Sequence, residues 1–195
     1  MDSSTVDKIK SVMRTFPKKQ GRLFWAKEIL LSIITFRALF YCVRLISYRI
    51  LNCEVGHHRA RIGKRTNVHP TVVIREPQNV VIGDDCYFNH NTVLTGGHSD
   101  GKLIIGNNVL TGPNVGFFVA NHHYAEIDEL IRCQGYDEDD IVVEDNVWIG
   151  ANSIVTSGVR IGTGAVIGAN SVVTHNIPPY AVAAGTPANV IRIRK

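Results

Sequence analysis

The chain has 195 residues with 21 Lys and Arg, 17 Asp and Glu and a formal net charge of +4, which suits one domain with an appendage. Residues 1–65 carry 14 basic and 4 acidic side chains, whereas the remaining residues carry 7 and 13. The four cysteines form no CxxC pair, and the polar start does not resemble a secretory signal. These features argue against a disulfide framework, a zinc finger and export, and we expect a cytoplasmic protein.

Residues 22–51 predict an amphipathic helical arm. Residues 29–51 contain no acidic side chain, and Arg37, Arg44 and Arg49 interrupt the apolar run. Each of these arginines would cost about 2.5 to 3.5 kcal/mol at the centre of a bilayer, so we do not expect the segment to span one.

At 100° per residue, two tyrosines fall on the same stripe as the arginines, and most of the remaining helix surface is apolar. This wide apolar face can pack on the rest of the protein or on a sister subunit. It can equally lie on an anionic membrane, which would place the protein peripherally on the inner face of the cytoplasmic membrane. The charges alternate with aliphatic residues instead of forming a basic patch, so we expect no nucleic-acid partner.

Aliphatic residues recur at every sixth position in the C-terminal half. The six positions are Val143, Ile149, Val155, Ile161, Ile167 and Val173. A second row, four residues after each of these, is small or β-branched: Val147, Ser153, Val159, Ala165, Ser171 and Ile177. The same phase occurs earlier at Ile62, Val68, Ile74, Ile82, Phe88, Leu94, Ile105, Thr111 and Phe117.

A period of six fits neither a helix nor a simple strand, but it does fit a short strand followed by a turn. Three such units close a triangular coil, and both rows must point inward. The pattern therefore predicts an all-β parallel β-helix of about five coils, with Cys86 in its core.

Two interruptions break this pattern, and loops on a rigid frame often carry chemistry. The first, residues 95–101, contains His98. The second, residues 118–142, is an extruded loop with His122, His123 and an acidic tract. By residue type, either of these two adjacent histidines is the best general base, because imidazole titrates near neutral pH.

Four motifs stand in the C-terminal part of the chain. They are Asp145-Asn146-Val147-Trp148-Ile149-Gly150-Ala151-Asn152, the Ile-Gly pairs at 161 and 167, Ile177-Pro178-Pro179-Tyr180, and Ala184-Gly185-Thr186-Pro187-Ala188. With them the chain resembles the hexapeptide-repeat acyltransferases, in the branch of galactoside and maltose acetyltransferases and polysaccharide O-acetyltransferases. The resemblance implies a left-handed β-helix over residues 55–180, an arm over residues 1–54 and a tail over residues 181–195.

The resemblance also implies an activity: acetyl-CoA-dependent O-acetylation of a sugar hydroxyl in surface polysaccharide or glycan biosynthesis. It implies a homotrimer, a glycan or nucleotide-sugar acceptor, and direct transfer without a metal. One alternative is N-acetylation of an amino sugar. A more distant one is a zinc-binding, carbonic-anhydrase-like β-helix, for which His90, His98, His122 and His123 are candidate ligands without that family's spacing.

The resemblance assigns the site residues as follows. His122 is the general base, with His123 as its rival, and Asn89 is a polar catalytic residue on the facing subunit. The positions implied to bind the cofactor are Trp148, Ala151, Ala169, Thr174, His175, Pro187 and Arg192. Many relatives carry Lys or Arg at the positions of His175 and Asn189, so Arg192, Arg194 and Lys195 would have to supply the charge for the nucleotide phosphates.

Overall fold

A computed structural model describes residues 21–33 and 36–195, except for the side chains of residues 32, 33 and 36. The chain divides into two compact units between Ser47 and Tyr48.

Helices occupy the first part of the described chain. They are α1 (Arg22–Ile33), α2 (Phe36–Arg49), a π-helical turn (Ile50–Glu54) and α3 (Val55–Arg59). The predicted stripe of Arg37, Tyr41, Arg44 and Tyr48 lies along α2, because spacings of four and three residues share one helix face. Among the described helices, none has the length and apolar character needed to cross a membrane.

Short strands after residue 60 form three parallel sheets. Sheet A contains β1 (Arg61–Ile62), β4 (Val80–Ile82), β7 (Leu103–Ile105), β12 (Ile141–Val143) and β15 (Arg160–Ile161). Sheet B contains β2 (Asn67–Val68), β5 (Tyr87–Phe88), β8 (Leu110–Thr111), β13 (Trp148–Ile149), β16 (Val166–Ile167), β18 (Ala181–Gly185) and the antiparallel β19 (Ala188–Ile193). Sheet C contains β3 (Val73–Arg75), β6 (Val93–Thr95), β9 (Gly116–Phe118), β14 (Ile154–Thr156) and β17 (Val172–Val173). The chain visits sheets A, B and C in turn, so each circuit is one coil.

Both predicted rows fill the interior of these coils. Every member of the first row from Val143 to Val173 is at most 1% exposed, and every member of the second row is at most 4% exposed. Cys86 is also buried, as predicted. Ile62 and Val68 are only partly buried, since they belong to the first coil, which has a neighbouring coil on one side only.

Asparagines in the left-handed conformation turn the corner between sheets B and C. Asn91, Asn114, Asn152 and Asn170 all have φ near +59°. Their side-chain amides form a ladder with N–O distances of 3.2, 2.9 and 3.2 Å. Asn tolerates this backbone region better than most residues, so the ladder provides both the turn and the contact between coils.

The segments outside the regular coils contain more structure than the sequence predicts. Residue 118 of the predicted loop 118–142 belongs to β9, and residues 141 and 142 belong to β12. Between these strands it forms an antiparallel hairpin of β10 (Ala120–His122) and β11 (Tyr136–Glu138). The predicted tail, residues 181–195, forms β18 and β19 and extends sheet B.

Candidate active site

Most of the predicted site residues lie on two edges of the triangular prism. The first, which we call edge BC, is the corner where each sheet B strand leads to the next sheet C strand. It carries Asn89 in the turn after β5, Ala151 in the turn after β13 and Ala169 in the turn after β16. The second, edge CA, is the corner after each sheet C strand. It carries both interruptions of the hexads and the dipeptide Thr174–His175.

His122 lies at the end of β10, directly opposite Tyr136 of β11. Its ring Nδ1 lies 3.3 Å from the carbonyl oxygen of Gly135. A carbonyl oxygen can only accept a hydrogen bond, so this contact places the ring proton on Nδ1. In the neutral imidazole the lone pair is then on Nε2, which has no hydrogen-bond partner within the described residues and is suited to accept a proton.

His123 is held differently, although it is the next residue. Its Nδ1 lies 3.0 Å from the carbonyl oxygen of Gln134, and its Nε2 lies 2.8 Å from a carboxylate oxygen of Asp137. Both partners are acceptors, so both ring nitrogens can donate only when the ring is protonated, and these contacts favour the imidazolium form. The hydrogen bond to Asp137 is the main cause of the raised pKa of His123. An imidazolium has no lone pair for a substrate proton, which favours His122 as the base.

The carboxylate of Glu138, in the second interruption on edge CA, forms hydrogen bonds with the first. Glu138 of β11 accepts hydrogen bonds from the backbone N–H groups of His98 at 2.6 Å, Ser99 at 3.1 Å and Gly101 at 3.2 Å, and from the Ser99 hydroxyl at 2.8 Å. Burial by itself would raise the pKa of Glu138, but these hydrogen bonds together lower it to about 2. Glu138 therefore remains ionised near neutral pH and holds the first loop against the hairpin.

Edge BC presents backbone donors. The N–H groups of Ala151 and Ala169 have no acceptor in the described part of the chain. A side chain at Gly112 would lie 2.6 Å from the nitrogen of Ala151, and one at Gly150 would lie 2.5 Å from that of Ala169. Glycines are thus required where one coil approaches the donor of the next.

Asn89 also lies on edge BC, and its side-chain oxygen is occupied. It accepts hydrogen bonds at 2.8 Å from both the backbone N–H and the ring Nδ1 of His90. The side-chain nitrogen Nδ2 of Asn89 has no partner among the described residues and remains a donor.

Trp148 points outward from sheet B, as its place between the two inward rows predicts. It is 54% exposed and pairs with Leu110 of β8 and Val166 of β16. Tyr87 and Leu110, in the preceding coils, are 40% and 48% exposed on the same face. Sheet B therefore carries an exposed apolar stripe beside edge BC.

The residues implied to bind the cofactor near the C-terminus are spread over several elements. Thr174 Oγ1 lies 2.8 Å from His175 Nδ1 on edge CA, whereas Arg192 lies in β19 and is exposed. Pro187 is in the turn between β18 and β19. Arg194 donates to the carbonyl oxygen of Gly164 at 2.6 Å, so part of its guanidinium already contributes to the fold.

Comparison with known proteins agrees with this architecture. Residues 140–175 match the model of the bacterial transferase hexapeptide family (six repeats). The galactoside O-acetyltransferase of Escherichia coli K12 is 39% identical over 133 residues, which are 68% of this chain and 63% of that enzyme. A hexapeptide-repeat acetyltransferase from Vibrio cholerae, solved with acetyl-CoA, is 33% identical, with a TM-score of 0.63 over 73% of this chain and 75% of that one. The chain belongs to the hexapeptide-repeat acetyltransferases.

A second solved member of the family is a galactoside acetyltransferase in complex with coenzyme A. It is 35% identical, with a TM-score of 0.60, over 68% of this chain and 64% of that one. These neighbours confirm the predicted fold class, the left-handed β-helix of hexapeptide repeats. The chain spans 53% to 63% of the length of the first curated relatives that it matches.

Two residues of edge CA were not predicted as site residues, namely Tyr136 and Glu138. The glycine pair Gly96–Gly97 is a signal that could have identified Glu138, since a side chain on Gly97 would collide with that carboxylate. No group of three or more His, Cys, Asp and Glu side chains in the described ranges is arranged to hold a metal ion.

Proposed function

We propose that this acetyltransferase transfers the acetyl group of acetyl-CoA to a sugar hydroxyl, in the assembly of a surface polysaccharide or another glycan. The observation that carries the proposal is the contact between Nδ1 of His122 and the carbonyl oxygen of Gly135, which leaves the Nε2 lone pair available on edge CA. The galactoside O-acetyltransferase relative and the neighbours solved with CoA or acetyl-CoA support the donor and the acceptor class.

The reaction needs one base and one group of hydrogen-bond donors. Nε2 of His122 takes the proton of the sugar hydroxyl as the oxygen attacks the thioester carbonyl carbon. The C–O bond forms, and the carbonyl electrons move to the oxygen, which the N–H of Ala151 stabilises. Loss of such a donor costs roughly 3 kcal/mol in comparable sites. Collapse of the intermediate breaks the C–S bond, and the His122 imidazolium returns the proton to the CoA thiolate.

A homotrimer would complete this site. His122 is on edge CA, while Asn89 and Ala151 are on edge BC, so sheet C separates them within one chain. Edge CA of one subunit placed against edge BC of the next brings base and donors together. The apolar stripe on sheet B would then line the cleft between subunits, where Thr174, His175, Ala169, Pro187 and Arg192 would contact acetyl-CoA.

We expect Trp148→Ala to raise the KM for acetyl-CoA or for the acceptor by about tenfold, equivalent to about 1.4 kcal/mol of binding. The indole is 54% exposed, so its removal should change the temperature of unfolding little. Steady-state kinetics and thermal unfolding measure the two effects. Trp25→Ala, which removes a 58% exposed indole from α1, is the matched control. Unchanged kinetics, or loss of the fold, would assign Trp148 a packing role instead.

The helical arm would attach the enzyme peripherally to the inner face of the cytoplasmic membrane. Large apolar side chains of α1 and α2 are exposed, including Leu30 at 62% and Phe40 at 66%. Arg37 and Arg44 edge this surface on α2, which carries no acidic residue. Arg49 contributes less, because its guanidinium donates to the carbonyl oxygen of Pro70 at 3.1 Å.

Arg37→Gln combined with Arg44→Gln should weaken co-sedimentation with vesicles of phosphatidylserine and phosphatidylcholine. Each basic residue near such a surface contributes about 1 kcal/mol, and added salt screens it. The control, Lys102→Gln with Arg132→Gln, removes the same charge from the rest of the chain. Light scattering of the same samples should give a trimer throughout. Binding that is absent at low salt would contradict membrane attachment, and binding that is equal in all variants would contradict the contribution of Arg37 and Arg44.

The direct test of the activity is release of free thiol from acetyl-CoA in the presence of candidate acceptors. The panel contains methyl β-galactoside, maltose, UDP-N-acetylglucosamine and glucosamine. We expect release with a hydroxyl acceptor and none with acetyl-CoA alone. Faster release with the amine of glucosamine would favour the alternative, N-acetylation, because the same base serves an amine. A chain that is inactive with every acceptor would contradict the proposal.

A further inference from the structure

Tyr136 lies between two histidine rings that come from different interruptions of the coil. Its ring centroid is 6.1 Å from that of His122, with the ring planes at 84°, and 5.4 Å from that of His98, with the planes at 61°. Both are edge-to-face arrangements within the range of favourable aromatic contacts. The ring of Tyr136 therefore connects His98, in the first interruption, with the proposed base His122, in the second.

His98 is fixed at both its backbone and its side chain. Its backbone N–H donates to Glu138 at 2.6 Å, and its ring Nδ1 lies 3.3 Å from a carboxylate oxygen of Glu76. Glu76 itself has φ of +48° and directly follows β3. Because Glu138 also holds Ser99 and Gly101, the position of the His98 ring relative to the hairpin is closely defined.

His122 has little else to orient its ring. The side chain is exposed, and the one hydrogen bond that it makes to the described residues, to Gly135, is long at 3.3 Å. The rotation of the imidazole decides whether the Nε2 lone pair points at the substrate hydroxyl. A base that is misplaced by about 1 Å can lose about 100-fold in rate.

We propose that Tyr136, supported by His98, is a positioning residue that holds the His122 ring in its catalytic orientation. The proposal rests on the proposed function, in which His122 is the base. The ring of Tyr136 is the part that acts, since its hydroxyl has no partner among the described residues. If Tyr136 has this role, kcat depends on its ring and not on its hydroxyl, and the KM for acetyl-CoA does not depend on Tyr136.

Tyr136→Ala should lower kcat between about 10-fold and 100-fold, with the KM for acetyl-CoA unchanged. Tyr136→Phe should retain wild-type kcat, because the ring contacts remain. His98→Ala should lower kcat by a smaller factor. When it is combined with Tyr136→Ala it should add little, because the two residues act through one contact. The assay uses acetyl-CoA and the panel sugar that the wild type acetylates fastest. Tyr124→Ala, at a 78% exposed tyrosine in the same loop, is the matched control and should not change kcat.

Thermal unfolding of each variant separates positioning from folding. If Tyr136→Ala unfolds early, Tyr136→Leu replaces it, since leucine fills much of the space without an aromatic edge. Wild-type kcat in the stable variant, or equal losses in Tyr136→Phe and Tyr136→Ala, would overturn the positioning role. His122→Ala is assayed in parallel. If it is inactive while Tyr136→Ala is normal, the positioning role alone fails. If His122→Ala is active, the role of His122 as the base in the proposed function fails as well.

Discussion

Replacing His122 with Ala should lower kcat by about 10²-fold to 10⁴-fold, the usual contribution of a general base. The side chain is exposed at the end of β10, so its removal should leave the β-helix intact. The KM for acetyl-CoA should change little, because the residues proposed to bind the donor lie on other elements. Steady-state kinetics and the unfolding temperature measure these expectations.

His123→Ala is the matched control, since it removes the same ring from the adjacent position. Its two ring nitrogens face the carbonyl oxygen of Gln134 and the carboxylate of Asp137, so its loss should cost far less in kcat than the loss of His122. Near wild-type turnover in His122→Ala, together with a large loss in His123→Ala, would transfer the role of the base to His123.

Phe117→Ala should reduce the free energy of unfolding by about 3 to 5 kcal/mol, the cost of removing a buried phenyl ring from a packed core. Phe117 is 0% exposed and lies in β9 between Leu94 of β6 and Val155 of β14. The coils above and below it are rigidly stacked, so the cavity cannot easily collapse.

Denaturant unfolding at a fixed protein concentration measures this loss, since the stability of an oligomer depends on concentration. Phe118→Ala is the matched control, because Phe118 is the next residue of the same strand and is 39% exposed. If both variants lost the same free energy of unfolding, the claim that the inward row of side chains stabilises the coil would be contradicted.

The coils could be predicted from the sequence because their pattern is local. Two inward positions in every six residues fit a short strand followed by a turn, and the buried rows follow from that spacing. The hairpin of β10 and β11 could not be predicted, because its paired residues are mostly polar and show no alternation. The strands of the tail were missed because β18 and β19 depart from the six-residue spacing.

The candidate site was predictable only in part, for a related reason. Residue types indicated a histidine base in the second interruption, but they could not distinguish His122 from His123. Their hydrogen-bond partners differ and favour His122, and Asp137 is reached only by folding the loop back on itself. Likewise Glu138 bonds to residues 37 to 40 positions earlier, a distance at which sequence patterns carry no information.

The most direct test of the account follows the acetyl group itself. The enzyme is incubated with acetyl-CoA labelled in the acetyl group and with the panel sugar that supports the fastest thiol release, and the sugar is then isolated and treated with mild alkali. We predict label on the sugar that alkali removes, as expected of an ester on a hydroxyl, and almost no label with His122→Ala. Label that resists alkali, as an amide does, or unchanged transfer by His122→Ala, would contradict O-acetylation by this histidine.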